Sequence, residues 1–208
     1  MFPRLIEKLI RRAHLTTDEA AAAMGEIMEG RASEAQVAGL LVGLAMKGER
    51  PQEIVGLAHA MRAHGVKVTG VSEVFDTCGT GGDRSGTFNI SSCAALVVAA
   101  SGVRVAKHGN RSVSSQSGSA DVFETLGVNV AASPAIVERC LREVGIGFFF
   151  APTFHPSMRH AGPARKSLAV RTAFNLLGPL TNPAFYDDYC AVYMKSFCDY
   201  VHQNSDMK

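Results

Sequence analysis

Two stretches of this chain carry groups suited to gripping an anion. The first is Asp76-Thr77-Cys78-Gly79-Thr80-Gly81-Gly82-Asp83. Its glycines leave the backbone bare, permit positive φ and let a ligand touch the amides directly. Successive N–H groups turned to one side form an anion-binding nest. A helix start is read at Asn89-Ile90-Ser91-Ser92. The unpaired amides and dipole of a helix N-terminus favour phosphate or pyrophosphate. By itself such a glycine run also reads as a plain tight turn.

The second stretch runs Lys107-His108-Gly109-Asn110-Arg111-Ser112-Val113-Ser114-Ser115-Gln116-Ser117-Gly118-Ser119. It sets two cations and a histidine around a glycine, then a run of hydroxyls. Lys107 can act as a point charge on a phosphate, with hydroxyls and amides adding hydrogen bonds. The other reading is a solvated loop. His108 is either structural or a substrate contact, and the neighbouring Lys107 discourages its protonation. Ser119 starts a helix, as a cap or as a second phosphate contact. Asp76 and Asp83 read as turn or cap residues, with Asp83 the better candidate for a sugar hydroxyl or a metal-bound water. Arg159, Arg165 and Lys166 follow His155-Pro156. Arg can hold a carboxylate through two parallel hydrogen bonds, or simply line a solvated helix face.

Other chemistries lose support. The chain has no GxSxG elbow, HExxH pair, GK[ST] phosphate loop or CxxC set, and Gly79-Thr80-Gly81-Gly82 lacks the later glycine of a dinucleotide site. Net charge is +2 over 208 residues, too little to argue for nucleic acid or an anionic membrane. No apolar run approaches a membrane span. Hydrophobic content of 47% against 19% charged residues supports a sizeable core. Five cysteines without close pairing read as reduced, mostly buried thiols of a cytosolic protein. The N-terminus mixes charge with apolar residues and does not read as a signal peptide.

The elements that must position these groups fall into two textures. Residues 3–65 read as four helices. Thr16 with Glu19 and Ser33 with Gln36 give capping-box signals, Gly30 and Gly48 close helices, and Pro51 opens the fourth, which runs to Gly65. The third, AQVAGLLVGLAMKG, is apolar around most of its circumference, so it is buried in a bundle or forms a dimer face. From Val66 short β-rich runs alternate with helical ones. Strands are expected at 74–75, 103–106 and 146–150, and helices at 91–101, 120–126 and 134–144. This is the pattern of a parallel sheet with crossover helices. Loops 77–88, 107–117 and 151–160 then follow strand ends, where ligands of open α/β sheets sit. Residues 171–183 read as a short helix and a rigid turn, punctuated by Gly178-Pro179 and Asn182-Pro183.

The order and spacing of GTGGD at Gly79–Asp83, Thr87, NIS at Asn89–Ser91, KHGNR at Lys107–Arg111 and GSAD at Gly118–Asp121 resemble anthranilate phosphoribosyltransferase. The stretch from His155 to Pro183 and the N-terminal helices extend the resemblance over most of the chain. It implies a helical domain over 1–65 and an α/β domain over 66–208, of the nucleoside phosphorylase/phosphoribosyltransferase type. It also implies transfer of phosphoribosyl from phosphoribosyl pyrophosphate to anthranilate in tryptophan biosynthesis, with magnesium, in a cytoplasmic homodimer joined through the N-terminal helices.

On this resemblance Gly79, Gly82, Asp83, Thr87, Asn89, Ile90, Ser91 and Ser92 hold phosphoribosyl pyrophosphate, and Ser91 is a magnesium ligand. Lys107, His108, Gly109, Asn110, Arg111, Ser112, Val113, Ser114, Ser115 and Ser119 match a loop that closes over the same substrate. Gly79, Asn110 and Arg165 match anthranilate contacts, with His108 beside them. No covalent enzyme intermediate is expected. The family runs well beyond this length, and its acidic Asp-Glu pair for magnesium lies in the absent part. The α/β domain is therefore expected to be incomplete at its C-terminus, with a tail over 185–208 that departs from the family. The other readings are a non-catalytic remnant that binds phosphoribosyl pyrophosphate or a partner subunit, and a pyrimidine nucleoside phosphorylase.

Overall fold

The computed structural model describes residues 1–68, 73–80, 88–112 and 117–184. Its contacts divide the chain into two compact units. Among the described residues no helix is long and apolar enough to cross a membrane.

The first unit is helical. It holds α1 (Phe2–Ile10), α2 (Thr17–Met28), α3 (Glu34–Lys47) and α4 (Pro51–Ala63). The capping boxes form as the sequence expects. Thr16 Oγ1 accepts from Glu19 N while the Glu19 carboxylate accepts from Thr16 N, and Ser33 with Gln36 repeats the exchange. Each such cap stabilises its helix by about 1 kcal/mol. Gly30 and Gly48 leave α2 and α3 at positive φ. The fourth helix stops at Ala63, short of the expected Gly65, with His64 as its C-cap.

Val37, Leu40, Leu41 and Leu44 of α3 are at most 1% exposed. Burying each leucine contributes roughly 1.5–3 kcal/mol. On another side of α3, a Cβ at Gly43 would come within 2.9 Å of Leu9, so α1 lies close against the small residues there. A Cβ at Gly56 would sit 2.1 Å from Thr17 O, so α4 meets the backbone of α2 directly.

The sequence draws one border, between 65 and 66. In the structure Ser157–Thr181 also belongs to the helical unit. This segment contains α9 (Gly162–Leu168) and α10 (Ala173–Leu180). Ala161, Ala164, Phe174, Leu177 and Leu180 join the core of α1–α4, which is what draws the chain back. Gly178-Pro179, expected in a turn, lies inside the last turns of α10. Proline has no N–H to give to the carbonyl four residues before it, so this end of α10 lacks one backbone bond.

The second unit comprises Gly65–Pro156 and the short return from Asn182. It holds α5 (Ile90–Ala100), β1 (Val105–Gly109), α6 (Ser119–Thr125), α7 (Pro134–Glu143), β2 (Ile146–Phe150) and the short α8 (Ala151–Phe154). β1 and β2 are parallel, pairing Val105 with Ile146 through Gly109 with Phe150. Phe75 adds a parallel bridge to Val105 on the other side of β1. The period of two is visible in β2. Phe149 packs with Val137, Leu141 and Phe154, while Phe148 and Phe150 pack against the cluster of Ala120, Phe123 and Val130.

Two sequence expectations change here. The strand expected at 103–106 begins at Val105 and continues through Lys107 and His108 to Gly109, so these residues are not in a loop. Their polarity hides a strand whose side chains are buried by neighbours on both faces. The loop expected over 151–160 is instead α8 followed by a 3-10 turn, Pro156–His160.

Candidate functional site

The site grows from the end of β1. Phe75 N donates to Arg104 O and Ala106 N donates to Phe75 O, at 2.8 and 2.9 Å. This sets the residues after Phe75 beside Lys107 and His108. Asp76 is the hub. Its Oδ1 accepts from Cys78 N at 3.0 Å and from His108 N at 3.2 Å, and its Oδ2 accepts from Asn182 Nδ2 at 2.8 Å. The same Asn182 amide donates to Ala106 O at 2.7 Å. Burial raises the Asp76 pKa above the ordinary carboxylate value, against the lowering effects of Lys107, Asn182 and the two backbone donors.

The glycine turn leaves this hub. Thr77 Oγ1 donates to Ser91 O at 2.6 Å, which fastens the turn to the first helical turn of α5. Gly79 is exposed. Asn89 is the N-cap of α5, and its Nδ2 reaches Ser117 Oγ at 3.5 Å. The start of the glycine turn, the N-terminus of α5, the end of β1 and the approach to α6 are therefore linked by hydrogen bonds within one unit. These are the groups that the sequence assigns to an anion. Gly82, Asp83 and Thr87, and Val113, Ser114 and Ser115, lie outside the described residues.

Lys107 and His108 are placed differently from expectation. Lys107 is 2% exposed and its Nζ donates to His108 O at 2.7 Å. His108 is 4% exposed, its ring edge-on to His155 with centroids 5.4 Å apart. Both are fixed in the sheet rather than carried on a flap. Gly109 sits in a close fit, since a Cβ would lie 2.2 Å from Ser119 Oγ and 2.8 Å from the Phe148 ring.

Beyond Gly109 the segment turns over α6. Asn110 O accepts from Ser119 Oγ at 3.3 Å and from Ala120 N at 3.2 Å. Arg111 is exposed and engaged by two carboxylates of α6, Asp121 at 3.0 Å and Glu124 at 2.7 Å. These contacts hold the Arg111 pKa above its usual value and that of Glu124 below it, while the amides of Gly118 and Ser112, and then Arg111, lower that of Asp121. An anion at Arg111 has to compete with both acids. Asp121 Oδ2 also accepts from Gly118 N at 2.7 Å and Ser112 N at 3.3 Å. Arg165 belongs to the helical unit, half-buried on α9, with its guanidinium 4.9 Å from the centre of the Phe174 ring. Burial lowers its pKa.

Two places invite a metal. Asp76, Cys78 and His108 offer donor atoms within 4.8 Å of one another. Their chemistry opposes a cation. The carboxylate is already bonded to two backbone donors and Asn182. Burial pushes the Cys78 thiol up to about 12, and only the thiolate is a good ligand. Lys107 adds positive charge nearby.

The first turn of α5 fits an oxygen-seeking ion better. Ser91 carries a hydroxyl there. Ser92 Oγ, in a residue 1% exposed, has no hydrogen-bond partner among the described residues. Magnesium takes oxygen ligands, keeps several waters and is usually shared with substrate phosphates. A serine pair at a helix N-terminus, one hydroxyl unsatisfied, suits a phosphate oxygen or metal-bound water. Elsewhere in the unit, a cavity of about 190 Å³ is lined by Leu96, Phe123, Val137 and Phe148 among others. Its walls are mostly apolar, with Lys107 and Asn129 the polar exceptions.

Sequence reasoning missed Asp76 as a hub and Asn182 altogether. A carboxylate between a strand end and a glycine turn is the signal that points to Asp76. Asn182 read only as the partner of Pro183 in a turn. It is 0% exposed. Among the described residues the cysteines are less buried than expected, with Cys93 exposed and Cys78 and Cys140 half-buried.

Comparison with known proteins shows which family the chain is similar to. Residues 3–65 match the glycosyl transferase family, helical bundle domain, and residues 71–203 match the glycosyl transferase family, a/b domain. The chain is 57% identical over 173 residues to an anthranilate phosphoribosyltransferase of Herpetosiphon aurantiacus, covering 83% of this chain and 51% of the relative. It is 52% identical over 185 residues to that of Petrotoga mobilis, covering 88% and 54%. Among solved structures it is similar to anthranilate phosphoribosyltransferase from Thermus thermophilus, with a TM-score of 0.81, 50% identity and coverage of 86% and 55%. The Saccharomyces cerevisiae enzyme in complex with PRPP and Mg gives a TM-score of 0.79 at 28% identity, covering 88% and 55%. The chain spans about half the length of the curated relatives it matches.

Proposed function

The chain belongs to the glycosyl transferase family, and on that premise we propose that it acts on phosphoribosyl pyrophosphate, transferring the phosphoribosyl group to the amine of anthranilate and releasing pyrophosphate. The observation that carries this reading is the junction at Asp76, which ties the start of the glycine turn to the end of β1, while Thr77 ties it to α5. Relatives named for this transfer match 83% and 88% of the chain, and one similar solved structure holds PRPP and Mg.

The chemistry asks for binding and alignment more than for a strong base. An aromatic amine is weakly basic and its nitrogen lone pair is available at neutral pH. The leaving pyrophosphate accumulates charge, which the amides of the glycine turn and the N-terminus of α5 stabilise. Holding two substrates in line contributes up to about 7–11 kcal/mol of barrier reduction. Ser91 would hold magnesium together with substrate oxygens, and the ion would neutralise part of the pyrophosphate charge. Gly79 and Asn110 offer backbone and amide groups to anthranilate. On the likeness to these relatives, Arg165 is the candidate partner for its carboxylate. Beyond the strand end, Asn110, Arg111 and Ser119 are further candidates for phosphoribosyl pyrophosphate, with Lys107 adding positive charge from within the sheet. The active species is a homodimer in the cytoplasm.

A chain that binds phosphoribosyl pyrophosphate without transferring it is the second reading. Calorimetry with phosphoribosyl pyrophosphate and magnesium, alongside loss of anthranilate fluorescence, separates the two. Binding with turnover supports the transferase, binding without turnover supports the second reading, and the absence of both defeats each.

A further inference from the structure

We infer that Asn182 is a positioning residue for the glycine turn, acting through Asp76. The inference rests on the phosphoribosyl pyrophosphate reading and extends it to a residue that touches no substrate.

The geometry is closed. Asn182 Nδ2 bridges Asp76 Oδ2 at 2.8 Å and Ala106 O at 2.7 Å, while Asn182 Oδ1 accepts from Ala184 N at 3.0 Å. The side-chain amide is thus fixed at both ends, and its orientation leaves the nitrogen facing Asp76. Asp76 is left with one way to lie, Oδ1 against Cys78 N and His108 N. Cys78 is the residue before Gly79, and His108 is the residue before Gly109. The bond from Asn182 is therefore one step from the backbone that carries both candidate anion-binding stretches.

The residue types fit a positioning role. Asparagine supplies a donor and an acceptor without charge. Aspartate at 182 would set a second carboxylate against Asp76, and a hydrophobic residue would leave Asp76 Oδ2 and Ala106 O without this donor. A buried acceptor deprived of its partner is costly, and more so when it is ionised. Without its restraint Asp76 can rotate, releasing Cys78 N and with it the path of the glycine turn.

The test uses the full chain and three variants, Asn182→Ala, Asp76→Asn and the double variant. Amide hydrogen exchange reads the clamp without any ligand, and calorimetry with phosphoribosyl pyrophosphate and magnesium reads its consequence. Asn182→Ala is expected to lose protection at the Cys78 and His108 amides while the amides of β2 stay protected. It should weaken binding by about ten- to a hundredfold, the range of a lost hydrogen bond to a charged group. In the Asp76→Asn background, where an amide no longer offers Oδ2 to Asn182, adding Asn182→Ala should change affinity by less than about twofold, the sign of action through one partner. A purely structural asparagine would instead lower the melting temperature and leave the affinity of the folded protein unchanged, and that result overturns the inference. Unchanged protection at Cys78 and His108 also overturns it. A wild-type chain that fails to bind phosphoribosyl pyrophosphate sinks the substrate reading, and the exchange data alone then decide whether the clamp exists.

Discussion

The Glu53 carboxylate and the Lys47 ammonium meet at 2.8 Å inside the helical unit, their side chains 0% and 2% exposed. Glu53 does more than neutralise a charge. Its Oε1 accepts from Leu15 N and its Oε2 from Arg50 N, each at 2.8 Å. One carboxylate therefore fastens the link between α1 and α2 and caps the start of α4.

Glu53→Ala removes all three bonds and leaves Lys47 buried without its counter-charge. The expected destabilisation is about 3–5 kcal/mol, the range for breaking a buried pair from one side. Urea denaturation of the two proteins measures it. A loss no larger than about 1 kcal/mol, as for a surface pair, would show that Lys47 finds water instead.

Gly109 should not tolerate a side chain. A Cβ there meets Ser119 Oγ and the Phe148 ring, so Gly109→Ala has to turn the Ser119 hydroxyl away and displace the ring. The expected cost is about 1–3 kcal/mol, typical of overpacking. Affinity for phosphoribosyl pyrophosphate should drop as well. Gly25→Ala offers a contrast, since that glycine has open space around it and no positive φ. If Gly109→Ala matches wild type in both stability and binding, the close packing at this junction is disproved.

Cys78 gives a pH signature. Its folded pKa is raised to about 12 from 9.0, chiefly by burial and then by the Asp76 charge. Between these values the folded chain keeps a proton that the unfolded chain gives up. Stability is therefore fully present below 9 and falls as pH rises toward 12, by at most about 1.4 kcal/mol per pH unit. Cys78→Ser should flatten that decline relative to wild type. Thiol labelling at about pH 8, below the ordinary thiol range, should modify exposed Cys93 and spare Cys78 when read site by site by mass spectrometry. Rapid labelling of Cys78 in the folded chain contradicts the assigned shift.

The sequence by itself determined whatever depends on near neighbours. The caps of α2 and α3 were legible because Thr16 and Glu19, or Ser33 and Gln36, satisfy each other's backbone within one turn. The span of β2 was legible because Ile146–Phe150 is a short, mostly apolar run after a glycine. The start of α5 was legible too, because the run from Ile90 to Ala100 is mostly apolar and free of glycine and proline.

Tertiary structure decided the rest. Lys107 and His108 read as loop because polar side chains seldom line a buried strand, and only the pairing of β1 with β2 makes them part of one. Ser157–Thr181 returns to the helical unit because its apolar residues find a core formed by the first four helices, which no local pattern announces. The bond between Asp76 and Asn182 spans 106 positions of sequence. A buried polar group is stable only beside its partner, and that partner is chosen by the fold, not by the residues adjoining it.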